Sequence, residues 1–226
     1  MDHKIHSKPD FAYLSVLLEE GEQLITESGA MMGMSSDLGV ETNMHGGLGG
    51  ALKRALSGES LFMNTYTAKR PDQRLDLAPA SPGDIEHLHL SQTSVRVQSG
   101  SYMASTKEVK VDTRWQGAQG FFAGEGLFML QCSGTGDLWI SSYGAIHAVD
   151  IRGSYVVDTG HIVAFEESLD FNVKSVGGIK SLLFSGEGLV CEFTGRGRLW
   201  LQTRCSLSLV SFLHPFRAIQ PQNHAN

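Results

Sequence analysis

Polar and apolar residues alternate over short stretches of this chain, and those stretches set the local structure. Ser94-Val95-Arg96-Val97-Gln98, Glu108-Val109-Lys110-Val111-Asp112 and Asp170-Phe171-Asn172-Val173-Lys174 each put every second side chain on one face. That period predicts half-buried β-strands. Helical patterning is limited to Gly50 to Leu56, about two turns, and Ile179 to Phe184, about one turn. Short strands separated by glycine-bearing turns predict an all-β fold of sandwich or barrel type.

The pattern repeats. Ser57-Gly58-Glu59-Ser60-Leu61, Ala123-Gly124-Glu125-Gly126-Leu127 and Ser185-Gly186-Glu187-Gly188-Leu189 are offset by 66 and 62 residues. Upstream of each stands a Ser/Thr-Gly pair leading into an apolar stretch: Ser28-Gly29, Ser99-Gly100 and Thr159-Gly160. Downstream come Leu75-Asp76-Leu77, Leu138-Trp139-Ile140 and Leu199-Trp200-Leu201, the last two after Gly134-Thr135-Gly136 and Gly195-Arg196-Gly197. A further glycine-bearing stretch precedes each Gly-Glu: Gly46 to Gly50, Gly117 to Gly120, and Gly177-Gly178. Four markers in one order, three times over, predict three tandem similar β units. They are residues 1–81, with an N-terminal tail and a Gly-rich insertion, 82–145 and 146–205, followed by a tail at 206–226. The glycines of the Ser/Thr-Gly pairs are expected at positive φ, and the Gly-x-Gly triplets are expected to be turns.

Composition adds the class of protein. The 226 residues are 41% hydrophobic and carry a formal net charge of −6, which excludes wholesale disorder and argues against a dedicated nucleic-acid binder. Glycine is abundant, 26 residues against 6 prolines, in keeping with many tight turns. The polar start Met1-Asp2-His3-Lys4 is unlike a secretory signal, and no apolar run is long enough for a transmembrane segment. Three cysteines, Cys132, Cys191 and Cys205, form no Cys-x-x-Cys pair. They read as reduced thiols of a cytoplasmic protein.

Two stretches carry a family resemblance. Gly46-Gly47-Leu48-Gly49-Gly50-Ala51-Leu52-Lys53-Arg54, running into Gly58-Glu59-Ser60-Leu61-Phe62, is similar to a first-unit signature. Gly186-Glu187-Gly188-Leu189-Val190, with Phe193-Thr194-Gly195 and Leu199-Trp200-Leu201-Gln202-Thr203-Arg204, is similar to a C-terminal one. The chain resembles, over roughly residues 11 to 205, the bacterial branch related to the altered-inheritance-of-mitochondria proteins, described as mitochondrial-biogenesis-like. The resemblance implies three small β units like the double-stranded β-helix units of the tryptophan RNA-binding attenuation protein. It also implies a homotrimer closing a ring of nine units, and it supplies no established activity.

Candidate chemistry is sparse. His87-x-His89 on a strand points both imidazoles to one face, the spacing a divalent metal uses. No Glu, Asp or His follows between Leu90 and Ser101 to complete a site, so the pair reads as an exposed polar strand face, with a cupin-like metalloenzyme as the alternative. Glu59, Glu125 and Glu187 recur once per unit and read as turn-stabilising residues. Gly46 to Gly50 with Lys53-Arg54 lacks the spacing of a phosphate loop. Cys132 and Cys191 read as inert buried thiols, Trp139 and Trp200 as core or inter-unit packing, and Met31, Met32 and Met34 as core filling. No catalytic, cofactor or metal-binding set emerges, which predicts a non-catalytic binding or scaffold protein with a protein partner still to be defined. A small-molecule sensor with ligand between units is an alternative, as is an RNA-binding ring using Lys69-Arg70, Arg74 and Arg196-Arg198. The apolar tail from Leu207 to Phe216 is expected to dock on the body of the protein.

Overall fold

The computed structural model of the chain describes residues 1–44, 62–112, 128–175 and 189–217. Glu59, Glu125, Glu187, Trp115, the Gly46 to Gly50 run with Lys53 and Arg54, and both expected short helices lie outside them.

The described residues form an all-β protein. Its strands are β1 (Asp2–His6), β2 (Tyr13–Leu18), β3 (Gln23–Glu27), β4 (Met31–Met34), β5 (Gly39–Met44), β6 (Phe62–Thr67) and β7 (Gln73–Leu77). They continue with β8 (Ile85–Gln98), β9 (Tyr102–Thr106), β10 (Val109–Asp112) and β11 (Met129–Ser141). The series ends with β12 (Ile146–Asp158), β13 (Ile162–Glu166), β14 (Leu169–Ser175) and β15 (Leu189–Gln202). The three alternating stretches fall in β8, β10 and β14, as their period requires.

One sheet runs β1-β2-β7-β4; the larger runs β12-β15-β13-β8-β11-β9-β3-β6-β5, with β10 on β11 and β14 on β15. All the ladders are antiparallel. Two long antiparallel strand pairs dominate: β8 on β11, from Ile85↔Ser141 to Gln98↔Met129, and β12 on β15, from Ile146↔Gln202 to Asp158↔Val190. A ladder order recurs around them. β4 lies on β7 beside β2, β9 lies on β11 beside β8, and β13 lies on β15 beside β12.

Glycine appears where strands cross at close range. Gly134 and Gly195 were expected in turns but lie inside β11 and β15, at φ of 122° and 111°. The β8–β11 register shifts at Gly134/Thr135, which pair with Thr93 and Ser91, so the extra residue is Gln92 of β8, at φ 56°, and β8 bulges opposite the triplet. A Cβ on Gly134 would stand 2.6 Å from the Glu108 carbonyl oxygen, and one on Gly197 2.6 Å from Ser168 Oγ. Of the Ser/Thr-Gly glycines, Gly29 has the expected positive φ, 91°. Gly100 and Gly160 lie instead in the 3₁₀ turns Ser99–Ser101 and Thr159–His161, and Gly160 is needed because a Cβ there would meet Cys205 Sγ at 2.6 Å.

The segments Pro82–Asp84, Tyr143–Ala145 and Thr203–Arg204 meet at one junction. Ala12 donates its N–H to Gly83 O (2.9 Å), Gly144 to Pro82 O (3.0 Å), Asp84 to Gly144 O (3.0 Å) and Thr203 to Ala145 O (3.1 Å). Gly83 and Gly144 form a bridge so close that a Cβ on Gly83 would stand 2.7 Å from Gly144 O.

Buried apolar side chains gather in three clusters among the described residues. The first holds Leu14, Val16, Leu24, Leu75 and Leu77; the second Val95, Val97, Tyr102, Leu138 and Ile140; the third Ile151, Phe165, Phe193 and Leu199. Trp139 from β11 packs into the first cluster and Trp200 from β15 into the second. Each indole therefore ties a long strand pair to the strands that precede it, and burial of so large a side chain contributes about 3 kcal/mol. The C-terminal helix α1 (Ser206–Leu213) buries none of its residues, so the expected docking of the apolar tail does not occur.

Candidate functional site

One face of the β8–β11 pair holds the one grouping the sequence singled out. His87 and His89 share a face of β8, and the antiparallel register sets Trp139 opposite His87 and Asp137 opposite His89. Asp137 Oδ1 lies 2.8 Å from His87 Nε2 and 2.8 Å from His89 Nδ1. A carboxylate oxygen only accepts, so the proton sits on Nε2 of His87 and on Nδ1 of His89, opposite tautomers held by one acceptor. Burial pushes the Asp137 carboxyl up, but the hydrogen bonds from His89 and His87 outweigh it and hold the group below its ordinary range. His87 also lies against His3 of β1, ring centroids 4.4 Å apart, and against Trp139, 5.3 Å apart. Burial, reinforced by His87, lowers the pKa of His3.

The pair is thus a hydrogen-bonded cluster rather than a bare polar face. The carboxylate arrives from across the ladder, 48 residues after His89, a range at which sequence inspection finds no signal. Among the described residues no group of three or more His, Cys, Asp or Glu side chains is placed to hold a metal ion.

A groove of about 620 Å³, with His87 and His89 in its lining, runs between the first half of β8 and β15. Glu86 and Leu88 line one wall, Glu166 and Glu167 the far end, and Arg198 with Trp200 the other wall. Arg198 is engaged by Asp150, 2.7 Å from Nε, while its backbone N–H donates to Glu166 at 2.9 Å. Glu167 pairs with Arg96 at 2.9 Å, and Glu86 with Lys8 at 3.4 Å. Three carboxylates against one arginine make the lining acidic.

The remaining candidates separate cleanly. Burial pushes the thiols of Cys132 and Cys191 up to about 12, so neither is a nucleophile at neutral pH. Three of the four arginines of the RNA reading are engaged: Arg70 with Asp37 (2.7 Å), Arg74 with Asp76 (2.9 Å) and Arg198 with Asp150. Met31, Met32 and Met34 do not fill a core; they are 43%, 55% and 39% exposed, because β4 is an edge strand with β7 as its one neighbour. Among the described residues no helix is long and apolar enough to cross a membrane.

Fold and site together define an all-β protein of linked antiparallel sheets, with a histidine–aspartate cluster and an acidic groove on its surface. The chain belongs to the mitochondrial biogenesis AIM24 family, whose model matches residues 3–204. It is similar to an uncharacterised protein of Streptococcus pyogenes serotype M6, with 29% identity across 98% of this chain and 92% of that protein. It is also similar to the crystal structure of a Streptococcus pyogenes protein, with a TM-score of 0.81 and 25% identity, covering 96% of this chain and 99% of the other.

Proposed function

We propose that this protein is a non-catalytic scaffold built of three similar units that join head to tail with other copies into a closed trimeric ring. The carrying observation is a pair of unused strand edges that match contacts already made inside the chain. β3 pairs with β9 through Leu24–Thr26, and β8 pairs with β13 through Val95–Val97. The corresponding stretch of β12, Tyr155–Val157, has β15 on one side and, among the described residues, no strand on the other. β4 holds the ladder position of β9 and β13, yet those two are almost wholly buried while β4 is exposed.

Tyr155 and Val156, 42% and 50% exposed, have counterparts at Val95 and Arg96 that another strand covers. Long apolar edges left open invite pairing between chains. Here β12 of one copy against β4 of the next repeats the internal contact, and such heterologous interfaces close into rings when the rotation permits. Three copies per ring is the number the family resemblance implies.

The experiment is light-scattering mass measurement of the full chain and of Met32→Lys and Val156→Lys. The expected wild-type mass is about three times the 24.6 kDa of one chain, with both variants monomeric and folded. A monomeric wild type overturns the proposal.

A further inference from the structure

The N-terminal strand shows what the groove beside β8 is shaped to hold. β1 pairs antiparallel with β2 from Asp2↔Leu17 to His6↔Tyr13, on the side of β2 away from β7. There His3, opposite Val16, meets Trp139 with ring centroids 5.1 Å apart and edge to face. Val16 is fully buried in this arrangement.

The same ladder position is open on β8. Its first half, Ile85–Leu90, pairs with β11 on one side, and among the described residues no strand pairs with the other side. By register on the neighbouring strand, Leu88 opposite Leu138 corresponds to Val16 opposite Leu75, and Glu86 opposite Ile140 to Leu14 opposite Leu77. Trp200 stands in this groove as Trp139 does over β1. Leu88 is only partly buried, as expected for a side chain whose cover is missing.

We propose that the groove between β8 and β15 binds an extended basic segment of a partner protein, which adds to β8 as a fourth ladder strand in the way β1 adds to β2. Main-chain hydrogen bonds to the free edge supply affinity, and alternate side chains supply specificity. The register dictates the sequence recognised. A residue opposite Leu88 faces Trp200 and is aromatic. The residue two further on stands opposite Glu86, where β1 has Ile5 opposite Leu14, and is Lys or Arg. With the partners Lys8, Arg96 and Arg198 included, the carboxylates of Glu86, Asp150, Glu166 and Glu167 leave a net negative charge at the groove, which favours a positive residue there. The groove lies within one chain, so the inference stands or falls separately from the trimeric ring.

The test uses the full chain and a fluorescein-labelled peptide of its own residues 1–7 carrying His3→Trp and Ile5→Lys. Saturable binding is expected, with slowed amide exchange at Ile85–Leu90 and no change at Tyr13–Leu17. Methylating alternate peptide nitrogens on the ladder side weakens binding at least about tenfold, because the edge hydrogen bonds are lost. Glu86→Lys weakens it by a similar factor with an unchanged melting temperature, and a peptide with Ile5→Glu restores binding to that variant. No saturable binding, binding indifferent to backbone methylation, or protection confined to β2 would each overturn the proposal.

Discussion

At the scale of single residues, two carboxylates respond to pH in opposite ways. Glu27, at the end of β3, is pushed by burial up to about 7 from an ordinary 4.5. Between those values the native state keeps a proton that the unfolded chain has lost, so stability falls as pH rises through the window. Replacing Glu27→Gln removes the penalty. The variant is expected to exceed the wild type by on the order of 2 kcal/mol at about pH 8 and to converge on it below about pH 5, in urea denaturation. Asp137 is held below its ordinary range, so its contribution is complete above the unfolded value, about 3.9, and disappears as pH falls through the lower folded value. Asp137→Ala is expected to cost about 1–2 kcal/mol at neutral pH, with the gap narrowing below about pH 4.

At the scale of elements, the long strands depend on glycines for two separable reasons. Gly153 sits at φ 120° in β12 with nothing within 4 Å of where a Cβ would lie. Gly134 combines φ 122° with the Glu108 carbonyl oxygen 2.6 Å away. Alanine at Gly153 therefore meets backbone strain alone, about 1–2 kcal/mol. Alanine at Gly134 adds a clash with backbone that cannot turn aside, and is expected to cost at least about 1 kcal/mol more. Thermal denaturation of the two variants measures the difference. An equal loss at both sites would mean that β11 moves away from the β9–β10 turn at no cost.

At the scale of the whole molecule, the open edges of β4 and β12 make a prediction that a symmetric interface does not. A head-to-tail contact uses different surfaces on its two sides, so Met32→Lys disables one and Val156→Lys the other. Mixed together, the two variants retain one intact β12 and one intact β4 between them. Light scattering is expected to show a heterodimer of about twice the 24.6 kDa chain mass, while each variant alone stays monomeric. A two-fold symmetric contact would leave the mixture no different from its parts.

Much of the local structure was legible in the chain. Alternation is a property of adjacent residues, so β8, β10 and β14 could be read wherever polar and apolar positions change places. Trp139 and Trp200 belong to the core as their repeated apolar settings require, and Cys132 and Cys191 are buried for the same reason. What depended on strand register was not legible. His87 and His89 were visible, but Asp137 joins them only through the antiparallel pairing of β8 with β11. Gly134-Thr135-Gly136 carries the composition of a turn, and only its pairing with β8, which bulges opposite it at Gln92, makes it strand. Met31, Met32 and Met34 have the hydrophobicity of core residues, yet hydrophobicity does not say whether a strand lies inside a sheet or at its edge. The sequence by itself determined the strands and the apolar faces, because these follow from neighbours along the chain. Tertiary structure alone decided which strands meet, and with that the cluster, the groove and the open edges, because each is assembled from residues tens of positions apart.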